Sequence, residues 1–190
     1  KWVCSGGAHP MDSCGNGSAM RVSAVGWLFD DWQTVKEEAR KSAEVSHDHP
    51  EGIKGAQCVA EAIFWLRNMR FPKADLELKV RKFFGYEIPS LKDVMKIGAE
   101  GHFDGTCQET VPMALRCFLD ANNFEETIRL AVLCGGTDTK ADIAGAIAEA
   151  YYDIPSGIID RALDYLPDDM LRVLDQYCSH VMKHLGKRGK

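Results

Sequence analysis

The sequence of 190 residues predicts an all-α fold, and three of its features agree on this. Apolar residues recur with the 3.6-residue period of helices along most of the chain, whereas the alternation typical of strands is nearly absent. Apolar residues make up 45% and charged residues 27% of the chain, as in ordinary globular domains. The breaks between periodic segments are short and carry Gly, Pro, Asp or Asn. We therefore expect a single domain over residues 1–190, built from about nine or ten helices.

The predicted helices are placed by their apolar stripes and by the residues that begin and end them. Ser90 and Asp93 resemble a capping box, and Glu125 and Glu126 fall in a first turn, where the helix dipole favours negative charge. Pro50 stands in a first turn, which suits proline. In chain order the predicted helices are Ser18–Phe29, Asp31–Ser46, about Pro50–Met69, Lys73–Phe84, Ser90–Ala99, Glu109–Ala121, about Asn123–Cys134, Lys140–Tyr152, Ser156–Leu166 and a last helix that starts at Pro167 or Asp168.

The segment Ala141–Ala150 is unusually rich in small residues. Ala144, Gly145 and Ala148 carry little bulk, so neighbouring helices can approach the backbone closely. We expect this helix to be central and buried on most sides.

Charge and cysteine content exclude several classes of protein. Lys and Arg number 23 against 28 Asp and Glu, a net charge of −5, and no basic stripe indicates a nucleic-acid polymer as partner. No apolar run approaches the roughly 20 residues that cross a bilayer. The seven cysteines are odd in number, scattered and without a C-x-x-C pair, so we expect a reduced, cytoplasmic protein.

The segment Met11–Arg21 (MDSCGNGSAMR) is the first that could carry chemistry. Gly15 and Gly17 flank Asn16 directly before a predicted helix. Successive backbone N–H groups in such a turn bind phosphate or another anion. The glycines alone are explained more simply by a tight turn with a Ser or Asn helix cap.

The segment Ser46–Gly52 (SHDHPEG) contains two histidines. Histidines two residues apart cannot share a helix face, although in a loop they could bind a metal. A plain loop before a proline is the simpler interpretation. Either His47 or His49 could also donate a hydrogen bond to a ligand phosphate.

The segment Cys134–Lys140 (CGGTDTK) offers hydroxyl, carboxylate and hydroxyl oxygens before a predicted helix. Such hard oxygen ligands suit Mg²⁺. Thr137, Asp138 or Thr139 would serve equally well as an N-cap, which is the simpler interpretation of this segment by itself.

Taken together and in this order, the three segments resemble the ADP-ribosylglycohydrolase family. The family includes the dinitrogenase-reductase-activating glycohydrolases and the animal ADP-ribosyl-acceptor hydrolases. The likeness runs from about Ser13 to Pro155 and includes ETVPMAL at Glu109 and NFEET at Asn123. It implies a compact, orthogonal all-α bundle that holds two Mg²⁺ ions in a central cleft. It also implies hydrolysis of an N- or O-glycosidic bond between ADP-ribose and an acceptor by Mg-activated water.

The resemblance also assigns site residues. It places Asp138 and Thr139 at metal-ligand positions, and it implies that His47 helps to hold the ligand. The expected partner is ADP-ribose, or a protein or small molecule that carries it, with no membrane and no nucleic-acid polymer. The loop around the diphosphate and ribose is expected to consist of Ser13, Cys14, Gly15 and Asn16.

The sequence departs from the family pattern in two places. The family's early Thr-Asp-Asp motif, which supplies the other metal ligands, has no counterpart. We expect it, with the acidic catalytic residues and the N-terminal part of the fold, upstream of Lys1. The family's late motif is Gly-Gly-Asp-x-Asp-Thr, and Gly136 or a deletion replaces its first Asp. With Asp138 as the remaining carboxylate, we expect weak or absent Mg²⁺ binding.

Two hypotheses of different classes follow. The first is an ADP-ribosylglycohydrolase, active as a complete protein or with an N-terminal fragment supplied by another chain. The second is a degenerate relative that binds ADP-ribose or a protein partner without turnover. A homo-oligomer contact is one way to cover the surface that a missing segment would expose.

Overall fold

The computed structural model describes residues 11–69, 72–101, 104–135 and 138–185, and within them the predicted all-α class is confirmed. The single extended pairing among these residues is an antiparallel bridge between Gly15 and Thr106. The helices are α1 Gly17–Met20, α2 Ser23–Leu28, α3 Trp32–Glu44, α4 Pro50–Met69, α5 Lys73–Phe84, α6 Leu91–Ala99, α7 Cys107–Asp120, α8 Phe124–Leu133, α9 Asp138–Glu149, α10 Ser156–Leu163 and α11 Asp168–Leu185.

Helices α4 and α5 have the predicted bounds, whereas the helix predicted over Ser18–Phe29 is divided in two. The chain turns at Arg21 and Val22 between α1 and α2. The Val22 side chain is fully buried there, and the Arg21 guanidinium donates to the carbonyl of Ser42 near the end of α3 (2.8 Å). Tertiary contacts therefore interrupt a helical pattern that the sequence shows as continuous.

Three helices begin at the side-chain caps that their sequences indicate. Asp31 accepts from the N–H of Thr34 at 2.7 Å, and Asn123 accepts from the N–H of Glu126 at 2.8 Å. Ser90 Oγ accepts from the N–H of Asp93 at 3.2 Å and donates to its carboxylate at 2.6 Å. The Ser90 cap is confirmed, whereas the reciprocal bond of a full capping box, from the Ser90 N–H to Asp93, is not among the hydrogen bonds of the described residues.

Contacts divide the chain into two compact units, Lys1–Asp153 and Ile154–Lys190. The first holds α1 to α9 and the second holds α10 and α11. A single domain over residues 1–190 stays a prediction. No helix within the described ranges is both long and apolar enough to cross a membrane.

The core of the first unit is organised around α4. This helix packs against α1, α2, α3, α5, α7 and α9, and Ala56, Val59, Ile63 and Leu66 on it are almost fully buried. Helix α9 packs against α1, α2, α4, α7 and α8, so its predicted central position is confirmed. Its buried residues are Lys140, Ile143, Ala144, Gly145, Ile147 and Ala148.

The end of α8, at Cys134 and Gly135, is fixed by a close backbone contact. A Cβ on Gly98 of α6 would lie 2.2 Å from the carbonyl carbon of Cys134, and Gly135 has φ +67°. Only glycine fits both positions without strain. The buried ammonium of Lys140 donates to the Cys134 carbonyl at 2.8 Å, which satisfies the C-terminal end of α8.

Candidate functional site

The loop Ser13–Gly17 is held against the start of α7 by its backbone. The N–H of Asn16 donates to the carbonyl of Gly105 at 2.7 Å, and the N–H of Cys107 donates to the carbonyl of Cys14 at 2.9 Å. The loop itself is half-buried. Two backbone hydrogen bonds between segments about ninety residues apart give this turn a defined position in the fold.

The polar side chains of the loop are also fixed. Asn16 Nδ2 donates to the hydroxyl of Thr110 at 2.9 Å, and Thr110 is buried on α7. The N–H of Gly15 donates to the hydroxyl of Ser13 at 3.2 Å, which closes a tight turn. Thr110 uses one N–H of the Asn16 amide, which leaves the second N–H and the carbonyl oxygen to bind a ligand.

Two buried side chains beneath the loop connect it to α4. Ser18 donates to the carbonyl of Gly52 at 2.7 Å, and the Cys107 thiol donates to the carbonyl of Gly15 at 3.2 Å. Burial raises the pKa of Cys107 above its ordinary value, so the side chain stays a thiol donor at neutral pH.

His47 lies beside the glycines of the loop, in the connection between α3 and α4. A Cβ on Gly17 would come within 3.2 Å of His47 Nε2, and a Cβ on Gly15 within 3.4 Å. Burial and the positive charge of Arg21 lower the pKa of His47 below 6.5, so its imidazole is neutral at pH 7. Because Gly15 and Gly17 have no side chains, the Nε2 edge of the His47 ring fits against the loop.

Helix α4 approaches the loop through a glycine. A Cβ on Gly52 would lie 2.5 Å from the carbonyl oxygen of Ser13 and 3.1 Å from both Cβ and the carbonyl oxygen of His47. Carbon and oxygen atoms do not approach so closely without repulsion, so the helix needs glycine at this position. Gly52 thus sets the spacing between α4, the loop and His47.

In the structure the five predicted ligand-binding residues form one cluster, with His47 beside Ser13–Asn16, and the predicted metal ligands Asp138 and Thr139 stand at the start of α9. Asp138 is exposed at the start of α9, where its carboxylate accepts from the N–H of Thr139 at 2.9 Å. Gly136 and Thr137 lie outside the described residues. Helix α9 packs against α1, which follows the loop, but no hydrogen bond of the described residues joins Asp138 or Thr139 to Ser13–Gly17.

The donor set within the described ranges does not fit a pair of magnesium ions. No group of three or more His, Cys, Asp or Glu side chains there is arranged to hold a metal ion. Asp142, one turn beyond Asp138 on α9, adds a carboxylate, but burial and the Asp138 charge raise its pKa. The carboxylates of Asp138 and Asp142 and the hydroxyl of Thr139 are few protein ligands for two Mg²⁺ ions, even though each ion keeps several waters among its six oxygens.

Sequence reasoning missed several residues that shape the cluster. Thr110 and Ser18 fall in predicted helices and Cys107 lies just before one, and nothing local marks any of them, since their partners come from distant parts of the chain. Gly52 carried a usable signal, because a glycine near the start of an otherwise apolar helix often marks close backbone approach. Ser46 gave no signal beyond its place before His47.

Comparisons with known proteins identify the family of the chain. The family model described as ADP-ribosylglycohydrolase matches residues 1–188. ADP-ribosylhydrolase ARH3 of Homo sapiens is 30% identical in an alignment that covers 74% of this chain and 50% of the human protein. The protein of the same name from Gallus gallus is 28% identical with the same shares covered. The chain thus spans about half the length of these curated relatives.

A solved structure shares the fold as well. The chain described as "ADP-ribosylglycohydrolase-related protein complex" is similar with a TM-score of 0.64 and 25% sequence identity, over 95% of this chain and 64% of that chain. The family model covers almost every residue of the present sequence, and the all-α architecture agrees with it. The chain belongs to the ADP-ribosylglycohydrolase family.

Proposed function

We propose that this chain binds ADP-ribose and is part of an ADP-ribosyl hydrolase-like protein. One observation carries the proposal: the loop Ser13–Gly17 and His47 come together from separate segments and are fixed there by backbone hydrogen bonds and by Gly52. Family membership supports the same ligand, because the clustered residues are those that the family resemblance assigned to it.

The chemistry of the cluster suits a diphosphate-linked ribose. Asn16 offers its carbonyl oxygen to a ribose hydroxyl while Thr110 holds its amide group. The N–H groups of Gly15 and Asn16 are used within the protein, so the backbone donors that remain for a ligand anion are the first N–H groups of α1, at Gly17. His47 is neutral at pH 7, so it contributes a hydrogen bond rather than a positive charge.

No step of hydrolysis is assigned to a metal ion, because the described donor set does not fit one. With Asp138 and Thr139 as the ligands, we expect Mg²⁺ to bind weakly. Cleavage of an N- or O-glycosidic bond needs an acid for the leaving group and a base or metal for the water. The loop Ser13–Gly17 and His47 account for the binding of ADP-ribose, and the proposal is therefore limited to this part of the family's activity.

Isothermal titration calorimetry with ADP-ribose tests the proposal. We expect saturable one-to-one binding that is weakened about tenfold or more by Gly17→Val, because the larger side chain would collide with His47. Gly157→Ala in α10 is the matched control, since a Cβ at that position meets no atom within 4 Å. A folded protein that gives no binding heat at millimolar ADP-ribose would overturn the proposal.

Binding without turnover is the second candidate, and the incomplete donor set of α9 favours it. Release of ADP-ribose from a peptide modified on Arg or Ser distinguishes the two candidates. Release that stops on Asp138→Ala and on addition of a metal chelator would favour the hydrolase. Tight, Mg²⁺-independent binding of ADP-ribose with no release would favour the degenerate binder.

A further inference from the structure

A chain of hydrogen bonds leads from Arg21 to the side of His47 that faces away from the loop. Arg21 Nη2 donates to Ser46 Oγ at 2.9 Å, and Ser46 Oγ lies 2.8 Å from His47 Nδ1. The same guanidinium nitrogen donates to the backbone carbonyl of Ser42 at 2.8 Å, which anchors it at the end of α3. Neither Arg21 nor Ser46 lies among the residues assigned to ligand binding above.

The positions of the protons follow from the donors available. A guanidinium only donates, so Ser46 Oγ accepts from Arg21 and has its own hydroxyl proton to give. His47 Nδ1 lies within hydrogen-bonding distance of that proton. With Ser46 as the donor, Nδ1 carries a lone pair, and in a neutral imidazole the ring proton then resides on Nε2; the alternative is a proton on Nδ1, which Ser46 would accept through its second lone pair. This Nε2 is the atom that lies beside Gly15 and Gly17.

We propose that Ser46, oriented by Arg21, is a positioning residue that fixes His47 as the Nε2–H tautomer and directs this N–H toward an oxygen of the bound ligand at the glycine loop. The inference rests on the proposed function for the identity of the ligand, ADP-ribose. The tautomer and the orientation of the ring are properties of the free protein and do not depend on it.

The contacts on both sides of the ring support this role. On one side the hydroxyl of Ser46 holds Nδ1, and on the other the two glycines leave room for Nε2. A ring held at one nitrogen loses little further freedom when the other nitrogen binds a ligand, so less of the binding free energy is spent on ordering it. The hydrogen bond that Nε2 donates needs no protonation of His47 and persists at neutral pH.

Nitrogen-15 NMR of histidine-labelled protein tests the tautomer directly. The His47 signals are assigned by their loss in His47→Gln. At pH 7.5, without ligand, we expect coupling patterns that place the proton on Nε2 alone. A proton on Nδ1 would overturn the inference, whatever the protein binds.

Affinity for ADP-ribose tests the positioning role. We expect Ser46→Ala to weaken binding about three- to tenfold, the effect of one ordinary hydrogen bond, and Ser46→Thr, which keeps the hydroxyl, to restore it. Ser42→Ala is the matched control, because Ser42 meets Arg21 through its backbone carbonyl. Circular dichroism and thermal denaturation establish that each variant is folded.

A double-mutant cycle shows whether Ser46 acts through His47. In a His47→Gln background, Ser46→Ala should cause no further loss of affinity, because the group it positions is already gone. An equal loss in both backgrounds, or unchanged affinity in Ser46→Ala alone, would overturn the positioning role. A wild-type protein that fails to bind ADP-ribose would instead refute the proposed function, and the NMR result would still decide the tautomer.

Discussion

Replacement of Gly52 by alanine tests whether the close packing of α4 against Ser13 and His47 is needed for the ligand site. In an open helix position, alanine stabilises relative to glycine by up to about 1 kcal/mol. At Gly52 the added Cβ would lie 2.5 Å from the carbonyl oxygen of Ser13 and 3.1 Å from Cβ of His47. The first distance is about 0.9 Å short of ordinary van der Waals contact, which begins at 3.4 Å. The obstacle is backbone, so it cannot rotate away as a side chain would.

The expected magnitude combines the two effects. Overpacking that forces the backbone to move costs about 1–3 kcal/mol, which exceeds the gain in helix propensity. We therefore expect Gly52→Ala to lower the free energy of unfolding by about 1–2 kcal/mol. The loop and His47 would be displaced together, so affinity for ADP-ribose should fall about tenfold or more, since a shift of about 1 Å misplaces several contacts at once.

Urea denaturation and calorimetry with ADP-ribose measure the two effects. Gly145→Ala is a useful comparison, because its Cβ would meet the flexible end of the Ile128 side chain at 2.8 Å, so we expect a smaller loss of stability and unchanged affinity. A Gly52→Ala variant that is as stable as the wild type and binds ADP-ribose equally well would show that α4 does not need glycine at this position.

Three further predictions concern buried polar groups and the metal. Glu61 is buried with Trp32 donating to it, and burial raises its pKa above 4.5. The stabilisation that comes from keeping Glu61 protonated is fully present below pH 4.5. It is lost as the pH rises through the raised pKa that Glu61 has in the folded protein. Glu61→Gln should therefore lose less stability than the wild type between pH 4 and pH 8 in urea titrations, and equal slopes would contradict this. Lys73 donates to the carbonyl of Phe118 at 3.1 Å and contacts that of Ala121 at the end of α7. Lys73→Met should cost about 1–3 kcal/mol in the same assay, whereas the exposed Lys82→Met should change little, and equal effects would refute the capping role. Added Mg²⁺ should change ADP-ribose affinity less than about twofold, and a large increase would show that the donor set is more complete than α9 indicates.

The sequence predicted most helices because their signals are local. Asn123 begins α8 and Ser90 begins α6 as caps, and both residues act on backbone groups only three positions away. The division of the helix predicted over Ser18–Phe29 could not be foreseen, because it accompanies the burial of Val22 and the contact of Arg21 with α3. Such contacts are visible only once the chain is folded.

The sequence predicted which residues form the ligand site, but not which other side chains hold those residues in place. The resemblance assigned Gly15, Asn16 and His47 to one ligand, and the structure places them side by side. The roles of Thr110 and Ser46 were missed because a hydroxyl group can bond to many partners, and the sequence does not show that theirs are Asn16 and His47. The metal role of Asp138 and Thr139 stays a prediction, because no group of three or more His, Cys, Asp or Glu side chains within the described ranges is arranged to hold a metal ion.

Backbone NMR with added ADP-ribose tests the central claim, that the loop Ser13–Gly17 and His47 form the ligand site. In a titration of nitrogen-15-labelled protein, we expect saturable shifts concentrated at the amides of this loop and of His47, with smaller changes at the start of α7. Saturable shifts confined to α10 and α11, or no shifts at millimolar ADP-ribose in a folded protein, would contradict the account.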